Sequence, residues 1–115
     1  MKKVIIIEDH EDVRFSLAVI LKREGFSVET AGDSGEAFKI IEKNFIPDFL
    51  IVDFNIPGMN GIETIKEMKK KCDAKSILLT GDISLMGNNY VKESINYFIL
   101  KPYDPKKIID ILKQN

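Results

Sequence analysis

Phe49-Leu50-Ile51-Val52-Asp53-Phe54-Asn55-Ile56-Pro57-Gly58-Met59-Asn60-Gly61 is the stretch whose reading decides the fold. An apolar run passes without alternation into a carboxylate, then into a Pro-Gly turn and an Asn suited to capping a helix. A run of that kind fits a strand covered on both faces, as in a parallel sheet flanked by helices. Val4–Ile7, Ile77–Leu79 and Tyr97–Leu100 repeat the pattern. Phe26-Ser27-Val28-Glu29-Thr30 alternates instead, which places that strand at a sheet edge.

Helical patterns fill the gaps. Val13, Leu17, Ile20, Leu21 and Glu24 lie at helical spacing ahead of Gly25, a suitable C′ residue. Asp33 and Glu36 resemble a capping box before Ala37, Ile40 and Ile41. Asn60 precedes Ile62, Ile65 and Met68, and Asp104-Pro105 precedes Ile108, Ile111 and Leu112. The fourth helix, within Ile83 to Glu93, has the least support, because Gly87, Asn88 and Asn89 disfavour a helix interior. The β-α alternation predicts a three-layer, doubly wound α/β sandwich of flavodoxin-like type. Its five-stranded parallel sheet is expected in the order 2-1-3-4-5, as one domain over residues 1–115.

Composition narrows the function classes. With 17 basic and 18 acidic side chains the net charge is −1, which gives no electrostatic reason to expect nucleic acid or an anionic membrane as partner. The only cysteine is Cys72, so an internal disulfide is impossible and a cytoplasmic setting is expected. The apolar run after the N-terminal lysines is too short for a signal or membrane segment.

Ligands of open α/β sheets bind beyond the carboxyl ends of the strands. There the sequence places Glu8 and Asp9 after strand one, Asp53 after strand three, Thr80 after strand four, and Lys101-Pro102 after strand five. Clustered carboxylates need a positive partner, and hard, oxygen-preferring Mg²⁺ suits them. An added ammonium and hydroxyl suit a phosphoryl group in transfer. No Ser/His/Asp or Cys/His arrangement exists, which leaves a carboxylate as the nucleophile.

Four segments, Ile5–Asp9, Asp53–Gly61, Leu78–Gly81 and Phe98–Tyr103, together resemble the receiver domain of two-component response regulators over essentially the whole chain. The resemblance implies that Asp53 accepts a phosphoryl group from a sensor histidine kinase or phosphotransfer protein. It implies that Asp9, Asp53 and the Asn55 backbone carbonyl hold Mg²⁺, with Glu8 acting directly or through water. By the same resemblance Lys101 pairs with Asp53 and then with the phosphoryl group, and Thr80 moves to the phosphoryl oxygen. Phe98 follows Thr80 as the switch aromatic, and the Lys101–Pro102 peptide is cis. The implied output is a changed face of fourth helix, fifth strand and fifth helix. That face would bind a downstream protein or a second copy of the chain, so monomer and phosphorylation-dependent dimer are both open. Such a domain is not an enzyme on other substrates, although it promotes its own phosphorylation and dephosphorylation.

The chain departs from the family pattern at three places: Glu8 stands for the first Asp, Ser94-Ile95 for Gly-Ala, and Phe98 for Tyr. His10 reads as a solvent-facing loop or first-turn residue, Cys72 as a loop residue, and Lys69-Lys70-Lys71 as a helix C-terminus complementing the macrodipole. Two other classes compete. A pseudo-receiver would keep the fold as an interaction module without phosphorylation, which the intact Asp53, Thr80 and Lys101 oppose. A Mg²⁺ phosphatase would need a second Asp two residues after the nucleophile, where this chain has Asn55. Flavin binding lacks a phosphate-cradling loop after strand one.

Overall fold

The continuous apolar runs become strands with both faces covered. A computed structural model describes residues 2–115. Strands β1 (Lys3–Ile7), β2 (Ser27–Ala31), β3 (Phe49–Asp53), β4 (Lys75–Thr80) and β5 (Tyr97–Leu100) form one parallel sheet in the order β2-β1-β3-β4-β5. The order and the edge position of β2 agree with the expectation from sequence.

Side-chain alternation divides each strand between two cores. Val4, Ile6, Phe49, Ile51, Ile77, Leu79 and Ile99 pack with Leu17, Leu21, Ile108 and Leu112, from α1 (Glu11–Arg23) and α5 (Pro105–Gln114). Ile5, Ile7, Leu50, Val52 and Leu78 pack on the opposite face with Ala37, Ile65, Met68 and Val91. These come from α2 (Ser34–Glu42), α3 (Gly61–Lys69) and α4 (Asn89–Ser94).

The caps explain where the helices begin. Asn60 and Glu63 form a reciprocal capping box on α3, and the Asp104 side chain accepts from Lys106 N with Pro105 at the first helical position. Asp33 caps α2 through Glu36 N, but the Glu36 carboxylate accepts from Gly32 N at 2.6 Å instead of from Asp33 N. The expected box is therefore displaced by one residue on its return bond. Glu24 is the C-cap of α1, followed by Gly25 at φ 94°. The expected fourth helix is split. A 3₁₀ turn (Ile83–Gly87) comes first, and then Asn88 caps the short α4 through Val91 N. Gly87 and Asn88 divide the segment for the reason that weakened it in the sequence.

Gly61 joins the fold to the site. Its amide donates to Phe54 O at 2.8 Å, closing the β3–α3 loop. A Cβ there would sit 2.5 Å from Asp53 O and 2.8 Å from Phe54 Cα, both backbone atoms that cannot swing away. Gly61→Ala is expected to cost about 2–4 kcal/mol of stability, the range of severe overpacking. A urea midpoint within error of wild type would contradict this.

Candidate functional site

Strand register and side-chain parity assemble the site at the carboxyl edge of the sheet. Ile7 pairs with Val52, so Glu8 and Asp53 come next on neighbouring strands. Strands lie about 4.8 Å apart, which sets two carboxylates close together. Glu8 continues the alternation of Val4 and Ile6, Asp53 that of Ile51, and Lys101 that of Ile99, so all three point to the α1/α5 side. They line one cleft of about 580 Å³ together with His10, Arg14 and Tyr103.

Lys101 crosses the end of β4, two strand spacings from β3, and its Nζ donates to Asp53 Oδ2 at 2.6 Å. The Asn55 amide donates to Asp53 Oδ1 at 3.1 Å, so both oxygens of Asp53 are engaged. Asp53 is 3 % exposed and Glu8 4 %. Asp53 and Lys101 both line the cleft. Asp9 is exposed and is not among the residues that line the cleft. Arg14, one turn into α1, donates from Nη1 to the carbonyls of Glu8 and Asp9 at 3.2 Å each and fixes the turn that carries both acids.

Thr80 reaches the same edge, where its carbonyl accepts from Lys101 N. Its parity is that of Leu78, on the α3/α4 side of the sheet, and its hydroxyl accepts from Asp82 N at 3.0 Å. Phe98 shares that side. It is half-buried and lines a second cavity of about 320 Å³ with Leu85, Met86, Val91 and Ile95. The Lys101–Pro102 peptide is cis. Cys72 lies just beyond α3; burial pushes its thiol up, which disfavours the reactive thiolate.

The two buried acids differ in their electrostatics. Burial raises the Glu8 carboxyl to about 7, and the facing Asp53 carboxylate adds to this against the opposing pull of His10 and Lys101. Burial acts to raise Asp53 too, but Glu8, Lys101 and the Asn55 amide hold it below the usual carboxylate range. Glu8 Oε2 is buried and, when ionised, has no hydrogen-bond partner; a proton on Glu8 lets it donate to Asp53. One ammonium does not neutralise this group of acids. A divalent cation with oxygen preference fits the donor set and would give Glu8 Oε2 its partner.

Residues 4–113 match the family model of the response regulator receiver domain. The chain belongs to that family. Solved structures agree in fold and extent. A CheY-like receiver domain protein of Methanospirillum hungatei is 28% identical with a TM-score of 0.89, covering 99% of this chain and 92% of that one. The response regulator TrrA of Thermotoga maritima, solved in complex with Mg²⁺-BeF, is 28% identical with a TM-score of 0.85, covering 99% and 98%. A curated Pseudomonas aeruginosa protein, named as a candidate transcriptional regulator, is 37% identical over 82 residues. The match takes in 70% of this chain and spans only 39% of that relative's length. No helix among the described residues is long and apolar enough to cross a membrane.

Two cleft residues of this receiver domain escaped the sequence reading. Arg14 carries a signal only once the helix start is known, because its spacing of six from Glu8 places it one turn above the acids. Tyr103 follows Lys101-Pro102 and looks like any loop aromatic in the sequence, yet it lines the cleft.

The raised Glu8 carboxyl has a measurable consequence in metal-free protein. Below pH 4.5 folded and unfolded chains both hold the proton, and its burial is unopposed. As pH rises toward 7 the unfolded chain releases the proton while the folded one keeps it, so folding loses up to about 3 kcal/mol. Glu8→Gln abolishes this titration. The variant is expected to gain stability over wild type progressively from pH 5 to pH 8 in urea unfolding, and parallel pH profiles would contradict it.

Proposed function

We propose that this receiver domain takes a phosphoryl group onto Asp53 from a phosphohistidine of a sensor kinase or phosphotransfer protein, in the cytoplasm and with Mg²⁺. The observation that carries the reading is the Lys101 ammonium 2.6 Å from Asp53 Oδ2, inside a cleft that also holds an unpartnered buried Glu8 oxygen. Asp53 is kept ionised at neutral pH, as a nucleophile must be. One carboxylate oxygen forms the new O–P bond as the N–P bond breaks, and the electron pair leaves with the donor imidazole. Lys101 is placed to shift from the carboxylate to a phosphoryl oxygen as charge moves outward.

Asp9 and Asp53, the Asn55 carbonyl, and Glu8 directly or through water would hold the Mg²⁺ ion. Bound there, it supplies positive charge against the phosphoryl oxygens. Arg14 keeps the acidic turn in place through its two carbonyl contacts. The cleft walls, Ile6, Leu17, Ile51 and Leu79, limit the water that could hydrolyse the product.

The response then belongs to the opposite side of the sheet. A phosphoryl group adds about −1.5 to −2 charge and would draw the Thr80 hydroxyl away from Asp82 N. Phe98 has room to turn within its cavity, and α4 is anchored by Val91 as its one buried residue. Short, thinly packed elements are the ones that exchange between conformers. The face of α4, β5 and α5 would thereby change its affinity for a downstream protein or for a second copy of the chain.

Treatment with a small acyl phosphate and Mg²⁺ should add the mass of one phosphoryl group to wild type and none to Asp53→Asn. Lys101→Ala should slow the transfer by roughly 10²-fold, the scale for losing one preorganised charge donor. Undiminished labelling of Asp53→Asn would overturn the assignment of the acceptor. Absence of labelling in wild type would favour an interaction module without phosphorylation.

A further inference from the structure

His10 is the N-cap residue of α1, yet its side chain makes no capping hydrogen bond. The imidazole is 73 % exposed, but its Nδ1 is turned back onto the acidic pair, 3.1 Å from Glu8 Oε1 and 3.2 Å from Asp9 Oδ1. Each of Glu8, Asp9 and His10 offers one ligand atom, and these atoms lie within 4.8 Å of one another. Adjacent ligand atoms of an octahedral ion with bonds of about 2.1 Å stand about 3.0 Å apart. The two nitrogen–oxygen separations therefore already match neighbouring corners of one coordination shell. The same Glu8 carboxylate has its other oxygen, Oε2, buried and without a hydrogen-bond partner when ionised, a second sign that a cation suits this carboxylate.

We propose that His10 contributes a nitrogen ligand to the acidic site, so that the site prefers borderline ions such as Zn²⁺, Ni²⁺ and Co²⁺ over Mg²⁺. The inference rests on the reading that Glu8, Asp9 and Asp53 hold a divalent ion. Mg²⁺ gains little from an imidazole, whereas later first-row ions gain substantially. An exposed imidazole–carboxylate pair contributes little to stability by itself, so folding alone gives weak reason for this orientation. His10 has no carboxylate or carbonyl on its other ring nitrogen among the described residues, and metal-bound histidines use such a partner to gain affinity. The preference is therefore one of degree, with borderline ions competing against Mg²⁺ for the same place.

The chain has a single histidine and a single cysteine, which makes the test unambiguous. Full-length, metal-stripped Cys72→Ser protein removes the thiol as a rival ligand. Titration calorimetry with MgCl₂ and with ZnCl₂ gives the affinity ratio, and imidazole ¹⁵N spectra report on His10 alone. The expected result is a Zn²⁺/Mg²⁺ affinity ratio that falls at least tenfold in His10→Asn, together with a large shift of the Nδ1 resonance on Zn²⁺ saturation. An unchanged ratio, or an Nδ1 resonance that does not move, overturns the proposal while Mg²⁺ binding leaves the site intact. Failure of both ions to bind overturns it together with the metal site itself.

Discussion

Two carboxylates on adjacent strands meet one ammonium at the end of a parallel sheet, and most of the site's properties trace to that imbalance. β1 and β3 pair so that Glu8 and Asp53 emerge side by side, and their shared burial strengthens the repulsion between them. Lys101 relieves Asp53 but leaves Glu8 holding its proton to about pH 7. The site is thus prepared for further positive charge before any ligand arrives. The β1–α1 turn is braced for the same purpose, since Arg14 binds the backbone of the acids and leaves their carboxylates free.

The charged residues of the cleft and the two proposed switch residues lie on opposite sides of the sheet. Glu8, Asp53 and Lys101 share the parity of the α1/α5 core, whereas Thr80 and Phe98 share that of the α3/α4 core. Under the proposed function, a charge gained on one side would reach the other around the strand ends, where the Thr80 carbonyl accepts from Lys101 N. β4 is paired on both sides over most of its length, while the 3₁₀ turn and α4 that follow it are short and sparsely buried.

Much of this was legible in the sequence, and the reasons differ by element. The unbroken apolar runs reveal parallel strands because both faces are covered, and residues at strand ends identify themselves by interrupting those runs. Glu8, Asp53 and Lys101, which the fold brings to one cleft, stand out in the sequence in that way. Thr80 ends β4 as expected, but which side its hydroxyl takes depends on counting parity from a strand start that periodicity leaves uncertain by a residue. The return bond of Glu36 to Gly32 and the division of the fourth helix depend on single backbone hydrogen bonds, which a hydrophobic pattern does not encode. His10 reads as a solvent-facing residue, and it is exposed, but a hydrophobic pattern carries no signal that its Nδ1 turns back onto Glu8 and Asp9.

Side-chain parity also constrains how such a chain can vary in length. Adding or deleting one residue between Val4 and Glu8, between Phe49 and Asp53, or between Tyr97 and Lys101 would rotate the charged tip to the far side of the sheet and drive apolar neighbours out of both cores at once. Insertions are tolerable only where the chain has left the ladder, such as the turn around Gly87 and Asn88. Divergence in length among chains of this architecture should concentrate there and leave the three charge-bearing strands fixed in residue count.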